Sequence, residues 1–205
     1  TLYGNLKVYA EINQSIHHNL LANCPLERIE QVYSKPEVFA QCQRWLTATG
    51  LADKTVAAAS SSKAAEIAAG QPDTAAIGST LAAELYNLHI ACSNIEDNPD
   101  NITRFFVIAR RQAKPSGDDK TSIVFATAHK AGALALVLDI FKEQGINLTF
   151  ITSRPSKKRN WEYVFFVDAE GHIEHEAMRG AVQRCHDHCL ELHVLGSYPR
   201  ALQIS

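Results

Sequence analysis

Apolar and polar residues alternate from Leu6 through Val8, Ala10 and Ile12, the period of a half-buried strand, so residues 6–22 are expected to be extended. Pro36 suits a first helical turn. Val38, Phe39, Cys42, Trp45 and Leu46 then recur at helical spacing as far as Gly50, which predicts one helix. A short apolar run, Thr55–Ala59, reads as a strand, and Ser60-Ser61-Ser62 offers N-caps for an alanine-rich helix to Gly70. Ala75–Ile77 is a second short strand, Ser79 opens a helix through Leu81, Leu85 and Tyr86, and Leu88–Cys92 is apolar again. This alternation predicts an α/β lobe with a largely parallel sheet. A polar stretch with the turn signal Asn98-Pro99-Asp100 separates it from the apolar strand Phe105–Ile108.

The pattern restarts after residues 112–120, which carry no aliphatic periodicity and read as a linker. Ser122–Thr127, Asn147–Thr152, Tyr163–Val167 and Leu192–Leu195 read as strands, and Gly132–Gln144 and Glu174–Cys189 as helices. The order βαββαβ is the ferredoxin-like split unit. The expected domains are therefore 1–111, a linker at 112–120, and 121–205.

Composition narrows the function. The chain has 205 residues with a formal net charge of -2, too balanced for a nucleic-acid-binding face. No apolar run is long enough to span a bilayer, so neither nucleic acid nor membrane is an expected partner. Cys24, Cys42, Cys92, Cys185 and Cys189 are odd in number and irregularly spaced, which fits reduced thiols and a cytoplasmic protein. The start lacks a signal-peptide pattern. Thr1 is not a methionine and the chain enters directly into a strand pattern, so a fragment or a processed chain is expected.

The segment Asn94-Ile95-Glu96-Asp97-Asn98-Pro99-Asp100-Asn101-Ile102-Thr103-Arg104-Phe105 resembles the signature of prephenate dehydratases. Ile16-His17-His18-Asn19-Leu20-Leu21, Ser34-Lys35-Pro36, Ser62-Lys63-Ala64-Ala65 and Ala75-Ala76-Ile77 follow in the family's order. Gly132-Ala133-Leu134 and Thr152-Ser153-Arg154-Pro155 resemble its two ACT motifs. The resemblance implies the second lobe of a periplasmic-binding-protein-like catalytic domain followed by an ACT regulatory domain. It implies decarboxylative dehydration of prephenate, feedback by L-phenylalanine as allosteric effector, a homodimer or homotetramer, and no cofactor or metal. A first lobe with a Pro-x-Glu-Asn-Ser-like segment is expected ahead of this chain and does not occur in it. The alternative is a catalytically incomplete fragment that only binds phenylalanine. Whether a chorismate mutase domain is fused upstream, or arogenate is the substrate, stays open.

Chemistry assigns roles to these positions. Loss of a hydroxyl needs a positioned donor, which Thr103 can supply; its other reading is a turn cap. Arg104 offers a planar fork for a carboxylate, or a surface ion pair. Phe105 enters as a site residue by resemblance. Gly132 at a helix start can receive a carboxylate, or only permit a tight turn. By the resemblance, Ala133 and Leu134 would also contact the effector, although a leucine at helical spacing is by default core. Asn147 and Ser153 would take its polar ends or merely satisfy strand ends, with Arg154 and Pro155 shaping the loop. The two cysteines and two histidines of Cys185-His186-Asp187-His188-Cys189 are four possible metal ligands, but neighbours on a helix diverge, so a helix end with exposed histidines is expected instead.

Overall fold

The computed structural model describes residues 5–156 and 163–201; Thr1 and the end of the expected 121–205 domain lie outside them. The chain divides into two compact units, one of residues 14–103 and one of residues 1–13 with 104–204. No helix among the described residues is long and apolar enough to cross a membrane.

The unit of residues 14–103 is built on a five-stranded sheet in the order β4-β3-β5-β2-β6. Its strands are β2 (Asn19–Ala22), β3 (Gln31–Ser34), β4 (Thr55–Ala57), β5 (Thr74–Gly78) and β6 (His89–Cys92). β3 runs parallel to β4 and β5, but β2 runs antiparallel to both β5 and β6. The sheet is therefore mixed rather than largely parallel. Both of its faces are buried, and successive side chains divide between them, as pleating requires. Leu20, Ala75 and Ile77 pack with Val38, Cys42 and Leu46, whereas Leu21 and Ala76 pack with Ala64, Ala65 and Ala68 of α3 (Ser61–Gly70). Ser60 caps α3 by accepting from the Lys63 N–H at 3.0 Å, and Ser79 caps α4 (Thr80–Tyr86) in the same way.

The single helix expected from Pro36 to Gly50 is two, α1 (Pro36–Gln41) and α2 (Gln43–Ala48), broken at Cys42 with φ -121°. The cause lies far along the chain, at Asp97. The Gln41 carbonyl accepts from the Asp97 N–H at 2.7 Å, and the Asp97 carboxylate accepts from the Arg44 N–H at 3.1 Å. Bonds that would have continued the helix are thus taken over by the acidic segment.

The second unit contains β8 (Asp119–Ala126), α5 (Ala133–Glu143), β9 (Leu148–Pro155), β10 (Tyr163–Glu170), α6 (Glu176–His186) and β11 (Glu191–Pro199). All pairings are antiparallel and the order is β11-β8-β10-β9, the ferredoxin-like arrangement. One sheet face packs on both helices. Val137, Ile140 and Phe141 of α5 and Met178, Ala181 and Cys185 of α6 meet Ile123, Phe125 and Val167. Each large side chain buried there stabilises by about 1.5–3 kcal/mol.

The other sheet face is partly covered from within the same unit. β1 (Lys7–Ser15) pairs with β7 (Ile102–Ala109), and residues of both strands lie on the sheet. Phe106 meets Tyr198 edge to face at 6.0 Å, and Val8 clusters with Tyr198 and Ala113. At Gly196 the crossing is so close that an added Cβ would sit 2.1 Å from the Val8 carbonyl oxygen. Only glycine permits this approach. The irregular segment before β8 is held down as well. Buried His172 bonds the Ala113 carbonyl at 3.0 Å, and Asp119 accepts from the N–H groups of Ser116 and Gly117.

Candidate functional site

The carboxyl ends of β3, β4 and β5 lead into α1, α3 and α4, the end of an α/β sheet where ligands collect. A polar group lines this end. Ser34 donates to the Ile77 carbonyl at 3.0 Å, and Asn19 donates to the Gly78 carbonyl at 3.4 Å and accepts from the Asn94 N–H at 3.1 Å. Asn94 has φ 53°, a left-handed conformation that asparagine tolerates.

The acidic segment is fastened here. Glu96 accepts from the His18 N–H at 2.9 Å and bonds the His17 ring at 2.8 Å. Burial pushes the Glu96 carboxyl up, but the His17 and backbone bonds outweigh it and hold it below the usual glutamate value. His18 is buried with its ring on Gln41 at 2.7 Å, while His17 is half-exposed. The two histidines thus face apart, and both are already engaged.

Thr103 follows this segment on β7 and is exposed. Its hydroxyl has no hydrogen bond among the described residues. Thr47, Thr49, Thr55, Thr74, Thr121 and Thr149 each donate to a backbone carbonyl, whereas the hydroxyls of Thr80, Thr127 and Thr152, like that of Thr103, make no hydrogen bond among the described residues. Phe105, two residues on and therefore on the same strand face, is 49% exposed.

Arg104 points to the opposite face, onto the second sheet. Its Nη1 bonds Asp168 and lies 3.6 Å from Glu11. Its guanidinium packs over Phe106 at 4.6 Å and Phe150 at 4.9 Å. Burial lowers the guanidinium's proton affinity, and the Asp168 bond and charge more than restore it. Ser122 donates to Asp168 at 2.5 Å, which leaves Tyr198 to donate to Ser122 at 2.6 Å. Lys120 donates to Glu11 at 2.7 Å. Sequence reasoning did not single out Glu11, Lys120, Ser122, Asp168 or Tyr198. The available signal was a carboxylate inside the apolar run Tyr163–Ala169.

The expected effector residues divide. Ala133 and Leu134 line a cavity of about 150 Å³ with Thr127, His129, Tyr163 and Phe165. Gly132 precedes them with φ 80° and is the N-cap of α5. Ser153 is paired with Phe165, and Pro155 with Tyr163, on the edge strand β9. Arg154 lines a different cavity of about 280 Å³, on the face that carries Arg104 and Phe150. Asn147 follows the other end of α5, where its carbonyl accepts from the Glu170 N–H at 2.9 Å. Within one chain it is separated from Gly132 by the helix, whose eleven residues span about 16 Å. As for the cysteine–histidine cluster, Cys185 is buried in the helix-side core and burial pushes its thiol up to about 12. α6 ends at His186.

Together these features define an α/β lobe followed in the chain by a ferredoxin-like domain. Residues 1–113 match the family model for prephenate dehydratase, and residues 121–187 that for the ACT domain. A bifunctional chorismate mutase/prephenate dehydratase of Aquifex aeolicus is 45% identical over 202 residues, covering 98% of this chain and 56% of that protein. A prephenate dehydratase of Methanocaldococcus jannaschii is 39% identical over 204 residues, covering 96% of this chain and 72% of that protein. The crystal structure of prephenate dehydratase from Arthrobacter aurescens in complex with L-Phe superposes with a TM-score of 0.85 at 29% identity, over 98% of this chain and 68% of that one. The chain belongs to the prephenate dehydratase family and carries an ACT domain. It spans a little over half the length of the bifunctional Aquifex relative.

Proposed function

We propose that the protein containing this chain converts prephenate to phenylpyruvate, carbon dioxide and water, under feedback control by L-phenylalanine. The observation that carries the reading is Thr103: an exposed hydroxyl on the family's signature strand, unspent on any turn or cap. In the proposed reaction the ring carboxylate leaves as carbon dioxide. Its bonding electrons aromatise the ring and expel the C4 hydroxyl, which takes up a proton and departs as water. Thr103 donates a hydrogen bond to that departing oxygen. Its β-branched side chain holds few rotamers, so the donor is aimed before substrate arrives. Phe105 supplies an apolar wall beside the ring. Arg104, committed to Asp168, serves the site by fixing the strand rather than by gripping substrate.

L-phenylalanine is assigned to the start of α5, its carboxylate toward the N–H groups after Gly132 and its ring toward Ala133, Leu134, Tyr163 and Phe165. The likeness to a relative solved with L-Phe supports this. The cavity within one chain is small, and β9 is an edge strand beside it. A homodimer or homotetramer formed through the ACT domain would enclose the ligand, with Ser153 and Asn147 supplied at the junction. The second reading, a phenylalanine-binding module without catalysis, rests on the ACT domain match of residues 121–187.

The test is a phenylpyruvate assay of the complete gene product. Thr103→Ala is expected to lower kcat by about 10²–10³, with KM little changed, since the donor acts mainly on the transition state. Unaltered kcat would show Thr103 to be a bystander. Absence of phenylpyruvate from the wild-type protein, with L-phenylalanine still bound in calorimetry, would favour the binding module.

A further inference from the structure

The chain passes from one compact unit to the other at the Thr103–Arg104 peptide bond. On an extended strand these neighbouring side chains point to opposite faces. Thr103 is exposed, whereas Arg104 is held by the four-stranded sheet of the ACT unit. Every strand of that sheet contributes to holding it. Asp168 of β10 forms the ion pair, and Phe150 of β9 stacks on the guanidinium. Ser122 of β8 fixes Asp168, and Tyr198 of β11 fixes Ser122. Glu11 of β1 adds a second carboxylate, itself neutralised by Lys120. The Glu11 side chain is buried, and its Oε2 has no hydrogen-bond partner among the described residues.

Two irregularities in the sheet lie at this spot. The pairing of β10 with β9 shifts register between Asp168 and Ala169, and that of β11 with β8 shifts between Val194 and Gly196, where Val8 crosses. Bulges bend a strand and re-aim its side chains. A small displacement of β9 or β10 would therefore move one guanidinium, and with it the residue before it in the chain.

We propose that Asp168 is a positioning residue: through Arg104 it sets the placement of Thr103, and it is the point through which the effector state of the ACT sheet reaches the reaction. This rests on the dehydratase reading and goes beyond it by naming the link. A ligand at the α5 end of β9 and β10 favours one strand arrangement. Asp168 then draws or releases Arg104, and Thr103 moves out of line with the leaving hydroxyl. A misplacement of about 1 Å suffices for a large loss of rate.

The experiment uses the complete gene product with Asp168→Asn, Asp168→Glu and Phe150→Leu, the last being a mild change at a half-exposed ring. Asp168→Asn is expected to bind L-phenylalanine as wild type does in calorimetry. Its kcat should fall about tenfold at little-changed KM, and the effector concentration giving half inhibition should rise at least tenfold. Asp168→Glu should recover part of both effects, and Phe150→Leu should show the same changes more weakly. Wild-type kcat and a wild-type inhibition curve in Asp168→Asn would overturn the proposal. If the wild-type protein forms no phenylpyruvate, the reaction proposed above fails, and amide hydrogen exchange judges the link instead. Faster exchange at Ile102–Phe106 in Asp168→Asn and in Phe150→Leu supports it; unchanged exchange there overturns it.

Discussion

Both units use polar side chains to satisfy backbone, as Asp119 does in the four-stranded unit, but they differ in how their other polar groups are joined. In the unit of residues 14–103, carboxylates and hydroxyls satisfy backbone. Glu96 takes the His18 N–H, Asp97 the Arg44 N–H, and Ser60 and Ser79 cap their helices. In the four-stranded unit, Glu11, Arg104, Lys120, Ser122, Asp168 and Tyr198 satisfy one another, side chain to side chain. Backbone-directed bonds fasten loops one at a time. A mutual network ties distant strands together, so that each member depends on all the others. The first arrangement fixes edges separately, and the second couples the strands it joins.

The comparison can be pressed hardest where β1 lies on the sheet. Gly196→Ala would place a methyl group against the Val8 backbone, so β1 must lift away from the network. The expected cost is about 3 kcal/mol, at the upper end for overpacking, measured by urea unfolding. Hydrogen exchange should show the loss around β1 and β11 and leave β5 unchanged. An intermediate effect is expected from acid. Asp119 is pushed up by burial, but its Ser116 and Gly117 bonds prevail and hold it low, as Glu96 is held low in the other unit. A depressed carboxylate stabilises fully above its unfolded value, about 4 for these groups, and loses that stabilisation as pH falls through the folded value. Glu96→Gln should flatten the acid loss in β2 and β6, and Asp119→Asn that in β8. If either variant flattened both, the units would share one polar system. The smallest effect is expected from Ser60→Ala, which removes a single cap and should cost about 1 kcal/mol, confined to α3 in an exchange experiment.

Much of this was legible in the sequence because it was local. Apolar alternation located the strands, Ser60 and Ser79 announced their helices, and the βαββαβ order emerged from periodicity alone. The failures share one cause, which is partners far away in the chain. The helix breaks at Cys42 because of Asp97, and no local signal at Cys42 announces it. β2 joins antiparallel because β5 and β6 flank it, a choice its four residues do not encode. Arg104 read equally well as a substrate fork or an ion pair, and its partner Asp168 is 64 residues on. Thr103 was ambiguous for a different reason. A free hydroxyl and a capping hydroxyl look alike until the neighbouring carbonyls have been placed.

The crossing of β1 over β11 also bears on the order in which the molecule assembles. Lys7 donates to the Val194 carbonyl across 187 positions, and Val8 needs Gly196 to be in place before it can settle. The ferredoxin-like sheet closes from contacts within residues 119–199, but the strand that covers it is made before that sheet and docks after it. Long-range closures of this kind slow folding, because their entropy is lost before the contact repays it. During synthesis, β1 and the apolar strand β7 must therefore wait uncovered until β11 has emerged. Their exposed residues, Ile12, Phe105 and Ile108 among them, make that interval prone to aggregation.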